Sequence, residues 1–214
     1  MDLFTTEHEK NKNWLPKDGT AHYISGFFQI KKAEHYFNRL LENIEWENDE
    51  IILFGKKIIT KRKVAWYGDE AFSYTYSKNT KFAKPWTSEL SEIKNKIEKE
   101  CGESFNSCLL NLYHNGEEGM SWHTDNEKEL KKQGTIASLS LGAERKFQFK
   151  HKSGKEKTEL LLEQGSLLLM KGETQEFWLH KLPPTKRISQ PRINLTFRTI
   201  TSPYSESSRD YEKK

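Results

Sequence analysis

The chain has 214 residues, with 35 basic against 31 acidic side chains, a net charge of +4 with histidine neutral, and two cysteines. That length buries one substantial core and would cramp a second domain, while two cysteines without a CxxC spacing exclude a disulfide framework and indicate a reducing compartment. No apolar run reaches membrane-spanning length and the start MDLFTTEHEK is too charged for a secretory leader, so an intracellular protein that does not enter a membrane is expected.

The first predicted element is a helix over 31–46, where Ala33, Tyr36, Phe37, Leu40, Leu41 and Ile44 recur at i, i+3, i+4 and i+7. The segment 51–86 follows. There Phe54, beside Gly55 and Lys56, has the composition of a hairpin tip that carries an apolar wedge, although a core strand residue is the ordinary reading of such a Phe. Tyr74 and Tyr76 alternate onto one strand face, which plain cross-strand packing also explains. A second helix is predicted over 88–100, capped by Thr87 or Ser88, burying Leu90, Ile93 and Ile97 and leaving at Gly102. Beyond Gly102 the period changes to two, with strands at 105–113, 135–141, 145–151, 158–163, 166–170, 175–180 and 191–199. Seven or eight short strands after two helices predict a mainly β fold of α+β class, a double-stranded β-helix or cupin-like jelly roll, with the helices backing the larger sheet. Residues 1–200 are expected to form one domain, about 1–100 as helical support and 101–200 as the jelly roll, and 201–214 a polar tail.

Three residues, of which His180 falls on a predicted strand, have metal-binding chemistry. Two imidazoles and a carboxylate, here His123, Asp125 and His180, bind one face of an ion and leave its other positions open for co-substrate and oxygen. On an extended segment the His-x-Asp spacing puts both side chains on one side. An isolated triplet of this kind is common by chance. The strand 192–198 adds weight, because Arg192, Asn194, Thr196 and Arg198 alternate with Ile193, Leu195 and Phe197. A half-solvated strand shows the same alternation, yet two guanidinium forks and an amide on one row match a buried dicarboxylate. Asn111 and Tyr113 share a face just upstream, or simply end a strand before the Asn115-Gly116 turn. A zinc hydrolase would also use two His and one carboxylate but has little use for the arginine row. The basic clusters Lys56-Lys57, Lys61-Arg62-Lys63 and Arg145-Lys146 with Lys150-His151-Lys152 and Lys155 are ordinarily solvated faces. With Lys181, Lys186 and Arg187 they have the composition of a phosphate-contacting rim.

The stretches NLYHNGEEGMSWHTD, IASLSLGAERKFQFKHK, GSLLLMKGETQEFWLH and PRINLTFR closely resemble the AlkB family of Fe(II)- and 2-oxoglutarate-dependent nucleic-acid dealkylases, in the branch of the second and third mammalian AlkB homologues. The resemblance implies that His123, Asp125 and His180 hold Fe(II), and that Asn111, Tyr113, Arg192, Asn194 and Arg198 hold 2-oxoglutarate, with O2 as the second co-substrate. It implies oxidative demethylation of bases such as 1-methyladenine and 3-methylcytosine in DNA, and as an extension in RNA, releasing formaldehyde, succinate and CO2. The alternative is a 2-oxoglutarate-dependent hydroxylase or demethylase acting on RNA or protein. It further implies that the first hundred residues include a nucleic-acid recognition lid, that Phe54-Gly55-Lys56 is the finger filling the gap of a flipped base, and that Tyr74, Tyr76 and Glu127 meet the substrate. Asn126 stands where the branch often has a second acidic residue, which bears on the contacts of that loop. A monomer is expected, cytoplasmic in a bacterium and nuclear in a eukaryote.

Overall fold

The structure, a computed structural model, describes residues 12–53, 56–76 and 79–201, and among these the side chains other than those of 50–58 and 73–81. Fourteen strands lie among the described residues: β1 (Thr20–Ile24), β2 (Glu47–Leu53), β3 (Lys56–Gly68), β4 (Ser73–Tyr76), β5 (Asn79–Phe82), β6 (Lys84–Pro85), β7 (Ser107–Tyr113), β8 (Met120–His123), β9 (Ile136–Gly142), β10 (Arg145–His151), β11 (Lys157–Leu162), β12 (Leu167–Lys171), β13 (Trp178–Leu182) and β14 (Arg192–Arg198). Helices α1 (Ile30–Asn43), α2 (Ser88–Cys101) and the single turn α3 (Thr174–Phe177) complete the order.

An eight-stranded sheet, β1-β12-β9-β14-β7-β3-β2 with β6 on β3, faces a four-stranded sheet, β11-β10-β13-β8. This is the two-sheet jelly roll that the sequence predicts. Alternation divides the larger sheet between two cores. Cys108, Leu110 and Leu112 of β7, Ala137, Leu139 and Leu141 of β9, and Ile193, Leu195 and Phe197 of β14 pack with Ala33, Tyr36 and Leu40 of α1 and Leu90, Ile93 and Ile97 of α2. On the other face Tyr113, Ile136, Leu168 and Met170 meet Phe147, Phe149, Leu160, Leu162 and Trp178 from the smaller sheet. The helices therefore back the larger sheet, and the polar positions of β7, β9 and β14 point between the sheets.

Several predicted boundaries differ. Helix α1 stops at Asn43, because Ile44 stays buried by turning into the core in an extended conformation (φ −76°, ψ 132°). Helix α2 is one residue longer than expected; the Thr87 hydroxyl accepts from the Leu90 N–H at 3.3 Å, and Gly102 closes it in the left-handed region. Residues 174–177 form a helical turn where a strand is predicted, held by Thr174, whose hydroxyl accepts from the Thr20 N–H and donates to the Lys171 carbonyl. Strands β1 and β3 join the larger sheet through β12 and β7, so the first hundred residues contribute strands as well as helical support.

Candidate active site

Strands β8 and β13 are neighbours, and their register places His123 opposite His180, with ring centroids 4.2 Å apart. Asp125 lies two residues beyond the end of β8, not on the strand as the spacing suggests. Its backbone N–H donates to Gln175 Oε1 at 3.0 Å, so the helical turn α3 positions the carboxylate. One carboxylate oxygen then stands 3.7 Å from His123 Nε2 and 3.9 Å from His180 Nε2, and the other 3.9 Å from Arg198 Nη1. One ligand atom from each of the three residues falls within 4.8 Å of the others.

Protonation suits this set for an ion. His123 Nδ1 donates to the Ser121 carbonyl at 2.8 Å, so Nε2 is the ring nitrogen turned toward Asp125. Burial pushes His180 down to about 4, against the opposing pull of Asp125, so its imidazole is neutral at physiological pH. Burial alone would raise Asp125, but Arg198, His180 and His123 outweigh it and hold the carboxyl below its ordinary range. Two imidazoles and one carboxylate whose ligand atoms lie this close together fit a divalent ion with open positions.

Beside it, β14 lies between β9 and β7, pairing Arg192 with Tyr113 and Asn194 with Asn111. Arg192 is 2% exposed; its Nη2 donates to Ser140 Oγ at 2.9 Å, and its guanidinium stands 5.6 Å from the Tyr113 ring centre. Burial lowers it to about 10, so it remains charged, and it has no acidic partner among the described residues. Asn194 Nδ2 donates to Ser138 Oγ and to the Leu139 carbonyl, while buried Asn111 Oδ1 and Arg192 Nε lack protein partners. A buried cation without a counter-ion, among unsatisfied amide and guanidinium groups, fits a carboxylate ligand. Arg198 belongs to both halves, lying 3.4 Å from Glu127 Oε1 as well as near Asp125.

Glu127 thus faces the arginine row. Phe54 and Gly55 lie outside the described residues, and Lys56, Tyr74 and Tyr76 lie on β3 and β4 with side chains outside the description. Five contributors escape the sequence reading. Gln175 carries no signal in its neighbourhood, whereas Ser138 and Ser140 alternate with Leu139 and Leu141 and are legible as a polar row. Arg145 and Arg62, expected on solvated basic faces, are 1% and 8% exposed. Arg145 donates to the carbonyls of Asn115, Gly116, Glu118 and Pro183 and so clamps the loop entering β8. Within that loop a Cβ on Gly116 or Gly119 would strike the Thr185 or Leu182 carbonyl oxygen. Arg62 pairs with Asp49 and lies 6.0 Å from the Tyr113 ring centre.

A jelly roll that encloses an open-sided metal set next to an anion-binding arginine row has the layout of an oxygenase consuming an oxo-acid with oxygen. Residues 20–198 match the family described as the 2OG-Fe(II) oxygenase superfamily, and the chain belongs to that superfamily and, within it, to the AlkB family. It is 38% identical over 185 residues to the bovine (Bos taurus) "Alpha-ketoglutarate-dependent dioxygenase alkB homolog 3", covering 82% of this chain and 64% of that protein. It is 35% identical over 204 residues to the mouse (Mus musculus) "DNA oxidative demethylase ALKBH2", covering 89% and 85%. The match therefore spans less than two thirds of the length of the alkB homolog 3 relative. The solved structure of OsALKBH1 shares the fold, with a TM-score of 0.63 over 87% of this chain at 14% identity. None of the helices among the described residues is long and apolar enough to cross a membrane.

Proposed function

We propose that the chain is an Fe(II)- and 2-oxoglutarate-dependent dioxygenase that removes methyl groups oxidatively from N-alkylated bases in DNA. The observation that carries this reading is the joining of two sites by Arg198: the His123, Asp125 and His180 set on one side, and on the other buried Arg192, which has no counter-ion among the described residues. Relatives named DNA oxidative demethylase supply the choice of substrate.

His123, Asp125 and His180 would hold the iron. Arg192 and Tyr113 would hold the distal carboxylate of 2-oxoglutarate, and Asn111, Asn194 and Arg198 the remainder. When bound, iron with 2-oxoglutarate and O2 supplies oxidation of the methyl C–H, yielding succinate and CO2 and releasing the methyl carbon as formaldehyde. The chain's own residues contribute position, charge and exclusion of water. Arg198 offsets the charge of Asp125, and the aromatic pair Phe147 and Phe149 packs against His180 and keeps its far side dry. No side chain needs to shuttle a proton to the base.

The reading includes substrate contact by Phe54, Gly55, Lys56, Tyr74, Tyr76 and Glu127, extrusion of the target base before reaction, and a single catalytic domain over 1–200. It also includes a monomer in an intracellular compartment, cytoplasmic or nuclear by host, in keeping with the free thiols of Cys101 and Cys108. Incubation with Fe(II), 2-oxoglutarate and single- and double-stranded oligonucleotides carrying 1-methyladenine or 3-methylcytosine, read by mass spectrometry, is the test. Loss of 14 mass units per lesion (roughly one CH2) with matching succinate is expected. Succinate formation without change in any oligonucleotide would move the substrate to protein or a metabolite.

A further inference from the structure

The strands that hold the metal set have a second face. Because neighbours on a strand point to opposite sides, Trp122 beside His123 and Lys181 beside His180 face away from the site. There the Lys181 ammonium sits 4.7 Å from the Trp122 ring centre, at the edge of a groove of about 360 Å³ whose walls include Gln148, Lys150, Lys157 and Glu159. Register makes this face unusual. Lys150 of β10 stands directly opposite Lys157 of β11, two like charges on one face of adjacent strands. Such pairs destabilise a sheet. Neither lysine has an acidic partner among the described residues, and the one acid of the groove, Glu159, is engaged by Lys146 at 2.6 Å and Gln148 at 2.7 Å. An unbalanced pair of ammonium groups suits one bridging anion, and an adjacent indole suits a planar base.

We infer that this outer face binds a single strand of nucleic acid leading away from the reactive base, with a phosphate between Lys150 and Lys157 and a base on Trp122. The inference rests on the nucleic-acid reading above. Trp122 lies on β8, the edge strand of its sheet, so a strand leaving the metal side reaches the outer face around that edge. An acidic protein segment would satisfy the lysines but has no need of the indole.

The test is binding without turnover. Unmodified single strands of about 16 and about 4 nucleotides are titrated by fluorescence anisotropy over a range of salt, the shorter being too short to reach around the edge. Lys157→Glu turns the repulsive pair into an attractive one, so its melting temperature is expected to rise while affinity for the long strand falls about tenfold and the salt slope shrinks by roughly 0.7 for each phosphate no longer neutralised. Trp122→Ala is expected to weaken the long strand about fivefold or more, and Trp122→Phe to keep most of its affinity. The short strand is expected to bind all variants alike. Unchanged long-strand affinity and salt slope in Lys157→Glu and Trp122→Ala would overturn the inference, as would a Trp122→Ala loss equal on both strands. Binding of poly-glutamate that Lys157→Glu abolishes, with nucleic-acid binding intact, would overturn it in favour of an acidic protein. A wild-type protein that binds neither strand would instead strike the nucleic-acid reading itself.

Discussion

His180 is buried and neutral, stacked on Phe147 and edge-to-face with His123, so no other side chain among the described residues can take its place. His180→Ala and Asp125→Ala are each expected to abolish methyl removal and to lower bound iron, measured by elemental analysis after gel filtration, below one tenth of the wild-type content, roughly 1.4 kcal/mol or more of lost binding. Full iron content in either variant would remove that residue from the metal set. Arg192 gives the complementary test. Truncating one partner of a buried charge pair costs about 2–5 kcal/mol, so Arg192→Ala is expected to raise the 2-oxoglutarate concentration for half-saturation about 30-fold or more, followed through succinate formation. Arg192→Lys keeps the charge and loses the fork, and an intermediate value is expected. At this scale the sequence was informative where chemistry is local. The residues His123, Asp125, His180, Arg192 and Arg198 are legible from type and alternation. Gln175, which fixes the Asp125 backbone, is not, because its role arises only when α3 is folded against the loop after β8.

Helix α2 shows the same division one level up. Its stripe of Leu90, Ile93 and Ile97, its Thr87 cap and its Gly102 exit are all local signals, and all three are found in place. Thr87→Ala is expected to cost about 1 kcal/mol, seen as a lower urea midpoint at unchanged slope. Its partner α1 is bound to it by Arg39, which donates to Glu89 at 2.8 Å. The Glu89 carboxylate is held at about 2, first by its own backbone N–H in the opening turn of α2 and then by Arg39 and Ser88. A depressed carboxylate stabilises the fold above its unfolded pKa and loses that contribution as pH falls toward the folded value. The exposed pair is worth about 0.2–1 kcal/mol. Glu89→Gln is therefore expected to lower the melting temperature slightly near neutrality and to have no effect near pH 2, and a difference that persists in acid would refute the assignment. The element the sequence misplaced is 174–177, where Thr174 bonds to both Thr20 and Lys171. A contact to a residue so distant in the chain overrides a period-2 pattern.

For the whole molecule, the arrangement depends on Arg145. Buried to 1%, it gathers the carbonyls of Asn115, Gly116, Glu118 and Pro183, and so ties the loop entering β8 to the segment leaving β13. Removing it leaves several buried acceptors unsatisfied at about 1–3 kcal/mol each. Arg145→Ala is expected to lose about 3–5 kcal/mol of stability in denaturant unfolding and to weaken metal retention, though it touches no ligand. Equal metal affinity at lowered stability would separate the clamp from the site. By itself the sequence determined which faces are apolar, which residue types can hold an ion or a carboxylate, and that two helices precede a sheet-rich core, because periodicity and side-chain chemistry are properties of neighbours in the chain. Only the tertiary structure decided that Arg145 and Arg62 leave solvent for the interior, that Asp125 is aimed by Gln175, that β1 and β3 extend the larger sheet, and that Lys150 meets Lys157. Those facts depend on strand register and on contacts between distant segments, and a composition of charged and polar residues is compatible with either side of a sheet until pairing selects one.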